Sequence, residues 1–190
     1  MNWKPVGMRP SDYVAEMNTA MEHRLYVSAL NAALIIPDVC ATALDPNCRT
    51  NGKKYEAWVT EYLMPIFEGL GADDLSASDV YQLRNSVLHN GSFATDAGKA
   101  TRYHNIRVHV FESSSQLITG SGSIGIGEEC PDEDREWRLT INLTAYVHCV
   151  ASAVEKFLSV HPECNREISK GRLAYGGLVD FTAADSTLPC

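Results

Sequence analysis

Arg84 and His89 stand five residues apart in a short run that also carries Asn85, Asn90 and Gly91. An imidazole exchanges a proton near neutral pH, as a general acid or base in water must. A guanidinium presents a planar fork of donors that grips a phosphate through two parallel hydrogen bonds, with more geometric control than an ammonium. Together they are what metal-free cleavage of RNA asks for: a base for the 2′-hydroxyl proton and a fixed cation for the charge that builds on the phosphate. Their spacing sets a problem. At 100° per residue, positions five apart lie about 140° apart around an ideal helix, whereas Asn85 and His89, four apart, share a face. Either the helix ends before His89 and the ring turns back at the cap, or two chains complete the site across a two-fold axis; the dimer is the expected solution.

Both residues also have ordinary structural roles. Arg84 can be a buried cation paired with a carboxylate such as Glu22 or Glu61, and His89-Asn90 can simply close a helix C-terminus, where the dipole favours positive charge. Arg102, His104 and Arg107 form a modestly basic stretch just downstream. Beside the Arg84 site they would touch an RNA backbone; otherwise they are exposed residues of a solvated strand face.

Other constellations carry less chemistry. Gly120-Ser121-Gly122-Ser123-Ile124-Gly125 satisfies a dinucleotide-binding pattern literally. Charges around Glu128-Glu129 follow it rather than a helix offering amides, so a flexible connection is expected there. The acidic stretch lacks a calcium-loop arrangement, and neither His148-Cys149 nor His161 with Cys164 makes a four-ligand zinc pattern. No metal and no cofactor is expected. Cys149 falls beside Val150 in an apolar helix and reads as core.

The elements that must position Arg84 and His89 are mainly helical. Apolar residues recur at helical steps over residues 11–43, with Ser11 as N-cap and Pro37 as the point where the helix bends or breaks. Residues 29–36 are apolar on nearly every side apart from Asn31, which places this helix at the centre of a bundle. A second helix spans residues 53–67. A third starts near Ser76 or Ser78, either able to cap it, with Asp79 three residues after Ser76 as in a weak capping box, and stops at Gly91, which suits a left-handed cap. Residues 106–110 and 137–143 alternate with period two and predict an antiparallel pair with a long, mobile connection over 112–136. A last helix covers residues 144–160.

Arg84-Asn85 followed by His89 resembles the signature of the HEPN superfamily, an arginine with a polar neighbour and a histidine four to six residues on. The surroundings are similar too: a long apolar helix with Ile35-Ile36-Pro37-Asp38, an aromatic-bearing helix, a helix ending Leu88-His89-Asn90-Gly91, and a final helix. The resemblance spans residues 11–92 and 144–160. It implies a HEPN-like up-down bundle of four to five helices, to which an inserted antiparallel two-stranded hairpin at about 104–143 and a tail over 163–190 are additions that the family pattern does not require, all in one domain of 1–190. It also implies roles: His89 as general acid/base, Arg84 as phosphate clamp and Asn85 as positioning residue, in a cleft between two protomers. The expected function is a metal-independent endoribonuclease of the toxin or phage-defence kind, with RNA and a cognate antitoxin or regulatory protein as partners. The alternative is a non-catalytic HEPN-like module that binds a nucleotide, RNA or protein. A purely structural or regulatory helical domain is the third.

Composition bounds these expectations. A chain of 190 residues with 45% hydrophobic and 21% charged residues can bury one substantial core and is not of a disordered or fibrous type. No run approaches the roughly 18 consecutive apolar residues of a spanning helix, and no secretory signal opens the chain, so a cytoplasmic protein without membrane contact is expected. Six scattered cysteines in a chain of this size read as reduced thiols. The net charge of −8 repels a polyanion over most of the surface. Screening over roughly 8 Å still leaves room for a local cationic site.

Overall fold

The structure is a computed structural model that describes residues 9–45, 47, 49–72, 75–91, 105–110, 117–124 and 136–166. It is mainly helical: α1 (Pro10–Glu22), α2 (Tyr26–Leu44), α3 (Gly52–Trp58), α4 (Met64–Gly69), α5 (Ala77–Asn90) and α6 (Leu143–Val160), with β1 (Asn105–His109), β2 (Ile118–Ile124) and β3 (Glu136–Asn142) between the last two helices.

The first long helix expected from the periodicity is two. It breaks at Arg24, whose φ is 57°, not at Pro37. The Leu25 amide donates back to the Ala20 carbonyl at 2.8 Å and the Arg24 amide to Met21 at 3.0 Å, closing α1 in a left-handed C-terminal turn. Apolar spacing resumes at once, so periodicity alone shows no gap. Pro37 lies inside an unbroken α2. Ile36, Pro37, Asp38, Val39 and Cys40 are all buried. Packing of that kind outweighs a proline cost of about 3 kcal/mol in an isolated helix. Pro10 takes the first turn of α1, and Asp12 Oδ2 accepts from the Arg9 amide at 2.8 Å, so the helix begins ahead of Ser11.

α2 is the centre of the fold, packed by α1, α3, α5 and α6. Its length and composition would let it cross a bilayer, yet more than half of it is buried in this protein. The expected second helix runs from Gly52 to Gly69 with a π-helical turn at Val59–Leu63 joining α3 to α4. That wider turn contains Glu61, four residues before Pro65, whose carbonyl in an α-helix would meet the proline ring. Trp58, Tyr62 and Phe157 close on one another with ring centroids 5.3–6.0 Å apart, locking this helix to α6.

The sheet corrects the expected antiparallel pair. β1 and β3 are parallel, with Ile106 opposite Leu139 and Val108 opposite Ile141, and the order is β1-β3-β2. β3's antiparallel partner is β2, built from the glycine- and serine-rich segment whose composition predicts a flexible connection. Period two marks a strand but carries no direction. Gly120, Ser121 and Gly122 have too little side chain to show alternation, and it is their backbone that pairs with β3. β3 runs straight into α6: fully buried Asn142 ends the strand, its amide donates to the Leu117 carbonyl at 2.8 Å, and its Oδ1 accepts from Thr144 N at 3.1 Å to cap the helix.

Candidate functional site

α5 begins and ends where local chemistry dictates. Ser76 Oγ accepts from the Asp79 amide at 3.2 Å, and Asp79 Oδ2 accepts from the Ser76 amide at 3.0 Å and from its hydroxyl at 2.6 Å. This reciprocal cap satisfies the first free amides of the helix. At the other end Gly91 has φ 60° and ψ 21°, and its amide donates to the Val87 carbonyl at 3.1 Å. α5 therefore extends through His89, and the alternative in which the helix stops before the histidine does not hold.

Arg84 and His89 nevertheless meet within one chain. Arg84 NH1 donates to Asn85 Oδ1 at 2.9 Å and lies 3.2 Å from His89 Nε2. Two things close the 140° gap. The arginine side chain is long enough to wrap round the helix, and Asn85, on the face of His89, catches the same nitrogen that reaches the ring. His89, near the C-terminal end, leans back over the preceding turn as helical side chains do. Bringing the two groups together thus needs no second protomer, which removes the geometric ground for a composite site.

The other edge of the guanidinium is spoken for. Arg84 Nε and NH2 donate to Asp38 Oδ2 at 3.1 and 2.9 Å, with side chains only 11% and 12% exposed. Glu22 and Glu61, the carboxylates expected to pair with Arg84, are both exposed. Asp38 lies 46 residues from Arg84 in sequence, and no local spacing links the two. The signal that marks it is a carboxylate standing alone in the most apolar of the described helices, which must find a partner when buried. Burial pushes the Asp38 carboxyl above its ordinary value, against the opposing pull of the Arg84 guanidinium and the Thr50 hydroxyl.

Thr50 Oγ1 donates to Asp38 Oδ1 at 3.3 Å, bringing the α2–α3 connection to the site. That connection is well held. Lys54 Nζ pairs with Asp45 and donates to the Arg49 carbonyl at 3.1 Å, and Asn51 Oδ1 accepts from the Lys54 amide at 3.0 Å to cap α3. Gly52 allows α3 to start close against α5, since a Cβ there would lie 2.8 Å from Tyr81 Cζ.

An arginine only donates, so in a hydrogen bond between the two His89 Nε2 is the acceptor, a role open to the tautomer that carries its proton on Nδ1. His89 is exposed, whereas the Arg84 side chain is nearly covered.

Of the weaker RNA-contact residues, Arg102 and His104 lie outside the described residues; Arg107 is on β1 opposite Thr140, and its side chain is likewise outside them. Cys149 is buried in α6, and burial raises its thiol to about 11. Cys164 lies under α2, its thiol 3.6 Å from the Ala43 carbonyl. Among the described residues no three His, Cys, Asp or Glu side chains gather as metal ligands. Comparison of the chain with protein-family models, curated proteins and solved structures found no match.

Proposed function

We propose that Arg84, Asn85 and His89 form a site that binds a phosphodiester of single-stranded RNA and cleaves it without a metal, as the HEPN-like signature implies. The observation that carries this is the 3.2 Å approach of Arg84 NH1 to Nε2 of an exposed His89 in one chain. A phosphate entering over the ring draws NH1 to its own oxygen, and the lone pair of Nε2 becomes free to take the 2′-hydroxyl proton. The 2′-oxygen attacks phosphorus, the bond to the 5′-oxygen breaks, and the proton held by His89 passes to that leaving oxygen or to water. Arg84 stays in place as the fixed cation on the charged phosphate, and Asn85 keeps NH1 from swinging away. A cytoplasmic toxin or phage-defence effector held in check by an antitoxin or regulatory protein is the setting we assign to this activity. A homodimer would add a second copy of the site rather than complete the first.

A second role has an observation in its favour. Arg84 is nearly covered and paired with Asp38, which suits a non-catalytic HEPN-like module in which the ion pair only clasps α5 to α2. The two separate cleanly. Purified full-length chain in EDTA should cut a labelled single-stranded RNA, and His89→Ala, a change at an exposed position, should abolish cutting while the melting temperature holds. Intact RNA with folded wild-type protein removes the nuclease role and leaves the clasp.

A further inference from the structure

We infer that Asp38, steadied by Thr50, is the positioning residue of this site: it holds one edge of the Arg84 guanidinium so that NH1 is the nitrogen turned to Asn85 and His89. The inference rests on the proposed action of Arg84 and His89 on a phosphodiester. A guanidinium is planar, so fixing Nε and NH2 on one oxygen sets the direction of NH1. Asp38 Oδ2 takes both of those donors, and Asp38 Oδ1 takes the Thr50 hydroxyl, so the carboxylate cannot turn without losing one set. Its backbone is rigid as well, lying buried in α2 directly after Pro37. Three segments therefore converge on this guanidinium: α2, the α2–α3 connection that follows it, and the distant α5. A clasp alone would end at the ion pair. Here the remaining nitrogen of the same guanidinium is delivered to within 3.2 Å of Nε2 of the exposed imidazole, a contact that favours the tautomer protonated on Nδ1.

The experiment uses the full-length chain as wild type, Asp38→Asn and Thr50→Val. Two quantities are read: kcat and KM on a labelled single-stranded RNA in EDTA, and the His89 tautomer from nitrogen-15 spectra of histidine-labelled protein. Wild type should show the proton on Nδ1. Asp38→Asn should show a mixture of tautomers and a kcat lower by about tenfold or more with KM little changed, because a misdirected donor costs more in the transition state than in binding. Thr50→Val should move both quantities the same way, by about threefold in kcat. A lowered melting temperature with tautomer and kcat both unchanged would mean a structural role only and overturns the inference. If Asp38→Asn does not fold, Thr50→Val decides in the same terms. If wild type cuts no RNA yet its Nδ1 tautomer is lost in either variant, the positioning role stands and the nuclease role fails.

Discussion

Asp38 and Arg84, 46 residues apart in sequence, share one oxygen: Asp38 Oδ2 accepts from both Nε and NH2 of the guanidinium. Both side chains are almost wholly covered, so each is the other's compensation for leaving water. The pair joins the central helix to the helix that carries His89. Whatever disturbs it is felt at the imidazole, through the nitrogen the pair leaves over.

Breaking one partner of a covered pair strands the other. Arg84→Ala and Asp38→Ala should each lower unfolding stability by about 3 kcal/mol, since each leaves a buried charge without its counterpart. The double variant removes both charges and should cost less than the two singles together, with a coupling of about 1–3 kcal/mol. Urea denaturation of the four proteins at pH 7 checks this. Additive losses would mean that the two side chains do not interact in solution.

The same pair shows what the sequence displays and what it conceals. α5 was legible at both ends because Ser76, Asp79 and Gly91 act on backbone groups within one turn of themselves. Arg84 and His89 were legible as chemistry because their types are scarce and close together. Asp38 was not, since its partner is set by how α2 packs on α5 and no local pattern encodes that. Similarly, alternation at Ile106, Val108, Leu139 and Ile141 showed two strands but not that they run parallel, which depends on β2 taking β3's other edge. The corner at Arg24 was hidden because a non-glycine residue adopts the left-handed turn there.

Two aspartates should pull the pH dependence of stability in opposite directions. Burial, opposed by Arg84, leaves the folded-state value of Asp38 raised above its ordinary 3.8, so the folded chain holds that proton more readily than the unfolded one. Its contribution is complete below the unfolded value and is lost as pH rises through the folded one. Asp45 is lowered, chiefly by its hydrogen bond with Lys54 and then by the Asn47 amide. Its contribution is present above 3.8 and is lost as pH falls through the lowered value. Between about pH 3 and about pH 7, the stability advantage of wild type over Asp38→Asn should narrow with rising pH, and that over Asp45→Asn should widen. Urea midpoints across that range test both signs, and parallel slopes for the two variants would contradict the assignment.

Three thiols should be silent in the folded protein. Burial drives Cys40 well above its ordinary value and Cys149 to about 11, and Cys164 is raised as well, mainly by burial and then by Glu163. Alkylation requires thiolate and access. Brief treatment with iodoacetamide at pH 8 should leave the peptides bearing Cys40, Cys149 and Cys164 unmodified in native protein and modify them fully in urea. Rapid native labelling of Cys149 would show that α6 opens or that its core packing is looser than the buried Tyr146 and Val150 around it imply.

Gly91 ties the end of α5 to the placement of His89. Its φ of 60° is one that a residue with a Cβ adopts only with strain, and the bond from its amide to Val87 closes the last turn, the turn that contains the imidazole. Gly91→Ala should lower stability by about 1 kcal/mol, or about 2–4 °C in melting temperature for a chain of this size. It should also lower RNA cleavage more than that loss explains, because a last turn that unwinds carries His89 Nε2 away from Arg84 NH1. Gly91→Asn separates the two effects. Asparagine tolerates the left-handed region better than alanine, so it should recover most of the activity while restoring only part of the stability. Equal activity in all three proteins would show that the closing turn does not position the histidine.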